Sequence, residues 1–313
     1  MSADGPGGER PPPQAVGTQA LIDPALAVLE PMSRADRATV RRERTRLLLR
    51  SPTFMIGALI VLFWIACALF GGAIAPQSPF ATNILGKLKP PSSSHWFGTD
   101  DLGRDVLSRV IVGARDIMFV APLATALGTA AGTIVGMVAA YYGGLVEEIV
   151  MRIVDAFNAI PPVILGALAL VALGPSNLTV VFVIGFVFTP IIARTVRAAV
   201  LAERDQEYVA AAKLRHERAW YVMFVEILPN VSGPILVEFT VRVGFSIFTV
   251  ATLSFLGFGI QPPAPDWGLT IAQEYLFLAG RIWWPVLFPA LAIASLVVSI
   301  NLVSDGLAQV FER

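Results

Sequence analysis

The chain reads as an all-α polytopic membrane protein with six transmembrane helices, and three observations lead there. Of its 313 residues 55% are hydrophobic and only 15% charged, against roughly 25% charged in a soluble domain. The mean hydropathy is +0.69. Apolar runs of about 20 residues recur, the length a helix needs to cross roughly 30 Å of hydrocarbon with its backbone groups paired internally. The remaining composition removes other classes. The 23 basic residues balance 23 acidic ones, so no basic nucleic-acid-binding surface is implied. Two histidines, His95 and His216, and the single Cys67 leave almost no material for zinc clusters, disulfide frameworks or Cys/His catalysis.

The spans follow in order. The first, Phe54 to Ala75, carries no charge, and neither does the second, Ile117 to Tyr142. The third, Ile149 to Leu173, holds Arg152 and Asp155, three apart and expected to pair locally, and a Pro161-Pro162 step that should kink it. The fourth is Leu178 to Ala193, the fifth Val231 to Phe258 and the sixth Trp283 to Val303. Gly128, Gly132 and Gly136 recur every four residues in the second span and predict close helix packing. Trp267, Trp283 and Trp284 are expected as interfacial anchors at the outer ends of spans five and six.

Ahead of the spans, residues 1–32 are rich in Gly and Pro and read as a disordered tail, with no apolar core of signal-peptide type. Over 33–50, Arg34, Arg37, Arg41 and Arg44 recur at helical spacing before Leu47, Leu48 and Leu49. That pattern predicts an amphipathic helix on the membrane surface, the alternative being a solvated basic tail. The remainder, 51–313, forms the transmembrane domain. Eight arginines up to Arg50 and six basic residues in 194–230 place both termini on the cytoplasmic side. Segments 76–116 and 259–282 then lie outside. In the first of these, Thr99 or Asp100 is expected to cap a helix beginning near Leu102 and lying along the outer face.

The informative feature is the long cytoplasmic segment 194–230. Its middle, Glu203 to Tyr221, lacks Gly and Pro and favours helix, yet is too charged to span. Ala210, Ala211 and Ala212 offer a smooth face that another protein could approach; a surface helix capping the bundle is the plainer reading. Within span five, Glu238 and Arg242 share a helix face. At roughly 2.5–3.5 kcal/mol per charge at helix centre, they should be paired, solvated or functional. A mutual ion pair and a water-filled pathway meeting a zwitterionic solute both remain open. No Gly-x-x-x-x-Gly-Lys-Ser/Thr loop is present to cradle a nucleotide's phosphates.

The string Glu207-Tyr208-Val209-Ala210-Ala211-Ala212-Lys213, followed by Ile227-Leu228-Pro229-Asn230, resembles the "EAA" coupling loop of bacterial ABC importer permeases. Two positions depart: Ala210 stands where that family has Glu, and His216 stands at its Gly. A His there predicts a longer helix or a reshaped turn, because glycine normally ends the coupling helix. The stretch His95 to Arg109 is similar to the external signature of the C-type subunit of dipeptide and oligopeptide (peptide/nickel family) importers. So are Tyr142-Gly143-Gly144, Met151 to Asp155, Ser254 to Pro263 and Asn301 to Leu307, with Val250 where many relatives are acidic. The resemblance covers about 50–313.

The resemblance implies a type I ABC importer permease fold and a non-catalytic subunit moving di- or oligopeptides delivered by an extracytoplasmic binding protein. The partners it implies are a B-type permease subunit, two ATPase subunits that hold ATP and Mg, and the lipid bilayer of a bacterial inner membrane; no cofactor or metal is expected on this chain. Glu207, Tyr208, Ala211, Ala212, Lys213, Arg215, His216, Leu228 and Pro229 would form the ATPase-coupling site. Glu238 and Arg242 are candidates for the pathway, and Asp100, Arg104 and Asp105 for an external gate or docking surface. Nickel chelates, glutathione or haem are alternative cargoes within the class. An ion-coupled secondary transporter is the rival outside it, against which stands the lack of an internal repeat with paired broken helices.

Overall fold

The computed structural model describes residues 46–311. The tail expected over 1–32 and most of the surface helix over 33–50 lie outside that range; its last residues, 46–50, are helical. Among the described residues every regular element is helical, and the one β-type contact is an isolated bridge between Thr99 and Asp105.

Helix α1, Pro52–Ile74, starts with Ser51 as cap and Pro52 in the first turn, where its missing N–H leaves nothing unpaired. An irregular stretch follows, up to α2, Val106–Tyr142. At 37 residues α2 runs about 55 Å, well beyond the hydrocarbon thickness. The chain reverses at Gly143, whose φ of +64° is the left-handed conformation glycine adopts freely. Two helices stand where the third span was expected: α3, Gly144–Asn158, and α4, Pro162–Leu173, meeting at 86° across the Pro161-Pro162 step. The kink is therefore a full break. With α4 only about 18 Å long, neither half crosses a membrane alone.

Helix α5, Asn177–Glu203, leads into the short α6, Glu207–Leu214. Helix α7, Ala219–Phe255, contains a π-helical turn at Val222–Ile227, immediately before Pro229. Widening the helix there moves the preceding carbonyls away from the proline ring. A short helix, α8, Trp267–Glu274, precedes α9, Trp284–Phe311. Five helices (α1, α2, α5, α7, α9) are long and apolar enough to cross a membrane, six spans in all if α3 and α4 count as one broken crossing.

The glycine row does the packing its spacing predicts. A Cβ on Gly128 would lie 2.8 Å from the Gly185 carbonyl oxygen, on Gly132 2.9 Å from that of Thr189, and on Gly136 it would collide with that of Ala193. Helices α2 and α5 thus touch backbone to backbone over three turns, a distance that any side chain would hold open. Both flanking helices continue into the 194–230 segment, so irregular chain is confined to short turns on either side of α6.

Candidate functional site: the coupling helix and its supports

Helix α6 is seated by one narrow stripe. Val209 and Ala212 are fully buried, and Tyr208 beside them is half-buried. The Tyr208 hydroxyl donates to the Glu203 carboxylate at 2.8 Å, tying α6 to the end of α5; burial and this bond push the phenol up to about 12. From α2, the Tyr141 ring lies 5.6 Å beneath the Lys213 ammonium. Arg204, just past α5, donates to the Ala140 carbonyl at 2.7 Å, satisfying an acceptor left open in the last turn of α2. On the far side of the turn, Arg215 donates to Glu226 at 3.0 Å. Ala212 therefore belongs to the seat, not to the outward face expected of it. That face is made by Glu207, Ala210, Ala211, Lys213, Leu214, Arg215 and His216.

His216 does not lengthen the helix. Helix α6 stops at Leu214, and His216 takes φ +57°, the left-handed turn that glycine would supply. Leu228 is half-buried and Pro229 exposed, at the start of the regular α-helical part of α7. Two outward residues had escaped notice in the sequence: Leu214, 81% exposed at the tip of α6, and Trp220, 56% exposed after the turn. An isolated Leu in a charged segment carries no periodic signal, so only its placement exposes it.

Beside this site α3 is held by charge. Glu147 pairs with Arg197 and Asp155 with Arg194, both across to α5. The local Arg152–Asp155 pair expected from the sequence does not form; Arg152 donates instead to Glu148 at 3.2 Å, one turn back on its own helix. On α7, Glu238 and Arg242 do pair, at 2.6 Å, and the guanidinium also sits over the Phe245 ring. Arg242 faces a cleft of about 460 Å³ whose wall includes Asn158, Pro162, Arg194 and Thr195. The break in the third span and the charged turn of span five thus share one cavity.

Asp100, Arg104 and Asp105 lie at the other end of α2, far from α6, and all three are buried. Asp100 accepts from the backbone N–H of Leu102 and Arg104 and from Arg104 Nε at 2.6 Å. Asp105, not Thr99 or Asp100, caps α2, accepting from the Ser108 N–H at 2.8 Å; its other oxygen meets His95 Nδ1 at 3.0 Å. No separate surface helix begins near Leu102, because that sequence forms a tight polar turn followed by the first turns of α2. The tryptophans are also structural. Trp267 Nε1 donates to the Val110 carbonyl and Trp284 Nε1 to the Thr99 carbonyl, both rings being buried, while Trp283 is 45% exposed. These residues brace the segment before α2 against α8 and α9.

A sequence profile described as the inner membrane component of binding-protein-dependent transport systems matches residues 132–313. The chain belongs to that family. A second profile, the N-terminal TM domain of oligopeptide transport permease C, matches residues 41–91 of this binding-protein-dependent permease. Among its relatives is the dipeptide transport system permease protein DppC of Alkalihalophilus pseudofirmus, 35% identical over 85% of this chain and 87% of that protein. The oligopeptide transport system permease protein OppC of Bacillus subtilis is 38% identical over 81% of this chain and 83% of its own length. The probable D,D-dipeptide permease DdpC of Escherichia coli is 33% identical over 84% and 88%. The chain is accordingly a multi-pass membrane transport permease.

Proposed function

We propose that this permease is the C-type half of an ATP-driven importer of di- or oligopeptides. It pairs with a B-type permease, receives peptide from an extracytoplasmic binding protein, and is driven by two ATPase subunits that bind ATP and Mg and carry out the hydrolysis. Both termini and α6 lie on the cytoplasmic side. The observation that carries this reading is the division of α6 into a buried stripe, Val209 and Ala212, and an outward face with Ala211 and Leu214 at its centre.

The energetics favour such a face. Inverting a conformational preference from 1:99 to 99:1 takes about 5.5 kcal/mol of differential interaction. An exposed ion pair supplies at most about 1 kcal/mol. A helix driven by a partner must therefore be gripped over apolar and small residues. Arg242 lines the cleft while held by Glu238 at 2.6 Å, and its guanidinium is a charge that a peptide carboxylate could meet.

Co-purification of the assembled transporter, followed by ATPase and uptake assays with its binding protein and candidate peptides, tests the reading. Ala211→Glu is expected to leave insertion and folding intact while peptide-stimulated ATPase activity and uptake fall at least tenfold. Ala212→Glu places a carboxylate in the buried stripe and should lower the amount of folded protein itself. Normal uptake by the Ala211→Glu variant refutes the docking role of α6.

A further inference from the structure

The polar turn before α2 ends in a cluster that the bracing role leaves unexplained. Carboxylate oxygens of Asp100, Asp101 and Glu274 lie within 4.8 Å of one another. Glu274, the last residue of α8, is fully buried, and its Oε1 accepts from the Asp101 backbone N–H at 3.1 Å. Its Oε2 has no hydrogen-bond partner, and neither has Asp101 Oδ1. The donor nearest Asp101 Oδ1 is Arg104 Nη2, itself unbonded and 3.8 Å away, beyond hydrogen-bond reach, so two buried acceptors in one carboxylate cluster are left unpaired, which a folded protein keeps only at a cost.

Charge points the same way. Arg104 and Arg109 are the cations beside the three carboxylates: Arg104 binds Asp100 directly, and Arg109 Nε lies 3.5 Å from Asp100 Oδ2. Three negative charges against two positive ones leave one uncompensated. The stretches of α7 and α9 nearest α8, 243–255 and 284–304, contain no Asp, Glu, His, Lys or Arg, and Lys87 and Lys89, on the segment hydrogen-bonded to the Asp100 turn, are exposed to solvent. Asp266, the other acid of α8, caps its opposite end. A bound metal ion fits poorly. Both oxygens of Asp100 are already engaged, which leaves only oxygens of Asp101 and Glu274, fewer than the six or more a hard cation takes, and Arg104 Nη2 stands 3.8 Å from Asp101 Oδ1.

We infer that Asp101 and Glu274 share a single proton, making a proton-dependent latch between the turn before α2 and helix α8. The protonated Glu274 carboxyl donates to the Asp101 carboxylate, which satisfies both orphaned oxygens and cancels the surplus charge. The Asp101 side chain is 34% exposed, so the proton exchanges with solvent through it. Burial, the hydrogen bond to Asp101 and the negative charges of Asp101 and Asp100 push the Glu274 carboxyl up to about 8 from its ordinary 4.5. The sign follows from linkage. Between those two values the native state holds a proton that the unfolded chain has released, so stability falls as pH rises through that window. Above it the two carboxylates are both charged and the latch parts.

The test uses the full-length chain in lipid nanodiscs. Infrared titration of the wild type should show a protonated carboxyl band that disappears near pH 8, while the midpoint of thermal unfolding falls as pH rises from about 4.5 to about 8. Glu274→Gln keeps a donor in place; it should lack the band and lose that part of the pH dependence. Asp101→Asn removes the neighbouring charge and should lower the midpoint of the band's titration by roughly one pH unit. If the glutamine variant does not assemble, carbon-13 labelling of glutamate in the wild type reads the same proton, because the band must shift with the label. The latch is overturned by a band that ignores the label, by a glutamine variant with wild-type pH dependence, or by calcium or magnesium chloride raising the unfolding temperature at constant pH and ionic strength with no titrating band.

Discussion

At the residue scale, His216 shows how one unusual side chain can leave a motif's geometry unchanged. The turn after α6 needs a left-handed residue, and His216 adopts φ +57° there at a cost of about 1 kcal/mol relative to glycine. His216→Gly is therefore expected to raise the thermal unfolding midpoint slightly, the gain being reduced by glycine's larger entropy in the unfolded chain, with transport preserved. A variant that lost coupling while gaining stability would show instead that the imidazole itself contacts the partner. The position was legible in the sequence as a departure, but its consequence was not, because a sequence does not say which of two compensations a turn adopts. Ala212 and Trp267 were misplaced for a related reason. Small or amphipathic side chains suit both a surface and a close contact, and only the neighbouring element decides: Tyr208 and the π turn for one, the Val110 carbonyl for the other.

At the element scale, hydrophobic length made the crossings legible, and the four-residue glycine spacing made the α2–α5 contact legible. The ends of the helices were not, because charged residues such as Arg197 and Glu203 extend α5 beyond the apolar run while remaining helical. The break between α3 and α4 was visible as two prolines, but its 86° angle depends on what each half packs against. The glycine row yields a sharp expectation. A Cβ on Gly136 would collide with the Ala193 carbonyl and lie 3.0 Å from the Arg197 nitrogen, both backbone atoms that cannot swing aside. Gly136→Val should cost about 1–3 kcal/mol of stability. By displacing the end of α5 it should also lower ATPase coupling through α6. Gly72→Ala on α1, with open space around its Cβ, is the control that should unfold no earlier than the wild type.

At the scale of the whole molecule, rigid and adjustable parts separate. Helices α2 and α5 form one unit, running from the braced turn at Asp105 to the seat of α6. Helix α3 contributes only Val154 as a buried residue and meets α5 through Glu147–Arg197, Asp155–Arg194 and the edge-on Phe157–Phe186 ring contact. The second pair is more than half exposed on both sides and contributes about 0–1 kcal/mol, screened further by salt. The first is more enclosed, with Glu147 18% and Arg197 32% exposed, and so is the stronger of the two ion pairs. On the proposed coupling role, a pull on α6 is expected to move α5 with it, and the Glu147–Arg197 pair to make α3, and the broken crossing bordering the Arg242 cleft, follow. Glu147→Arg places two cations together and should release α3, with peptide uptake falling several-fold while α6 still docks and ATPase activity persists. The double variant Glu147→Arg with Arg197→Glu restores an opposite-charge pair in reversed order and should recover much of the uptake. Uptake and ATPase rates measured side by side in proteoliposomes decide the matter. If the double variant transports no better than the single one, α3 is held by something other than this pair, and the tie does not pass movement from α6 to the cleft.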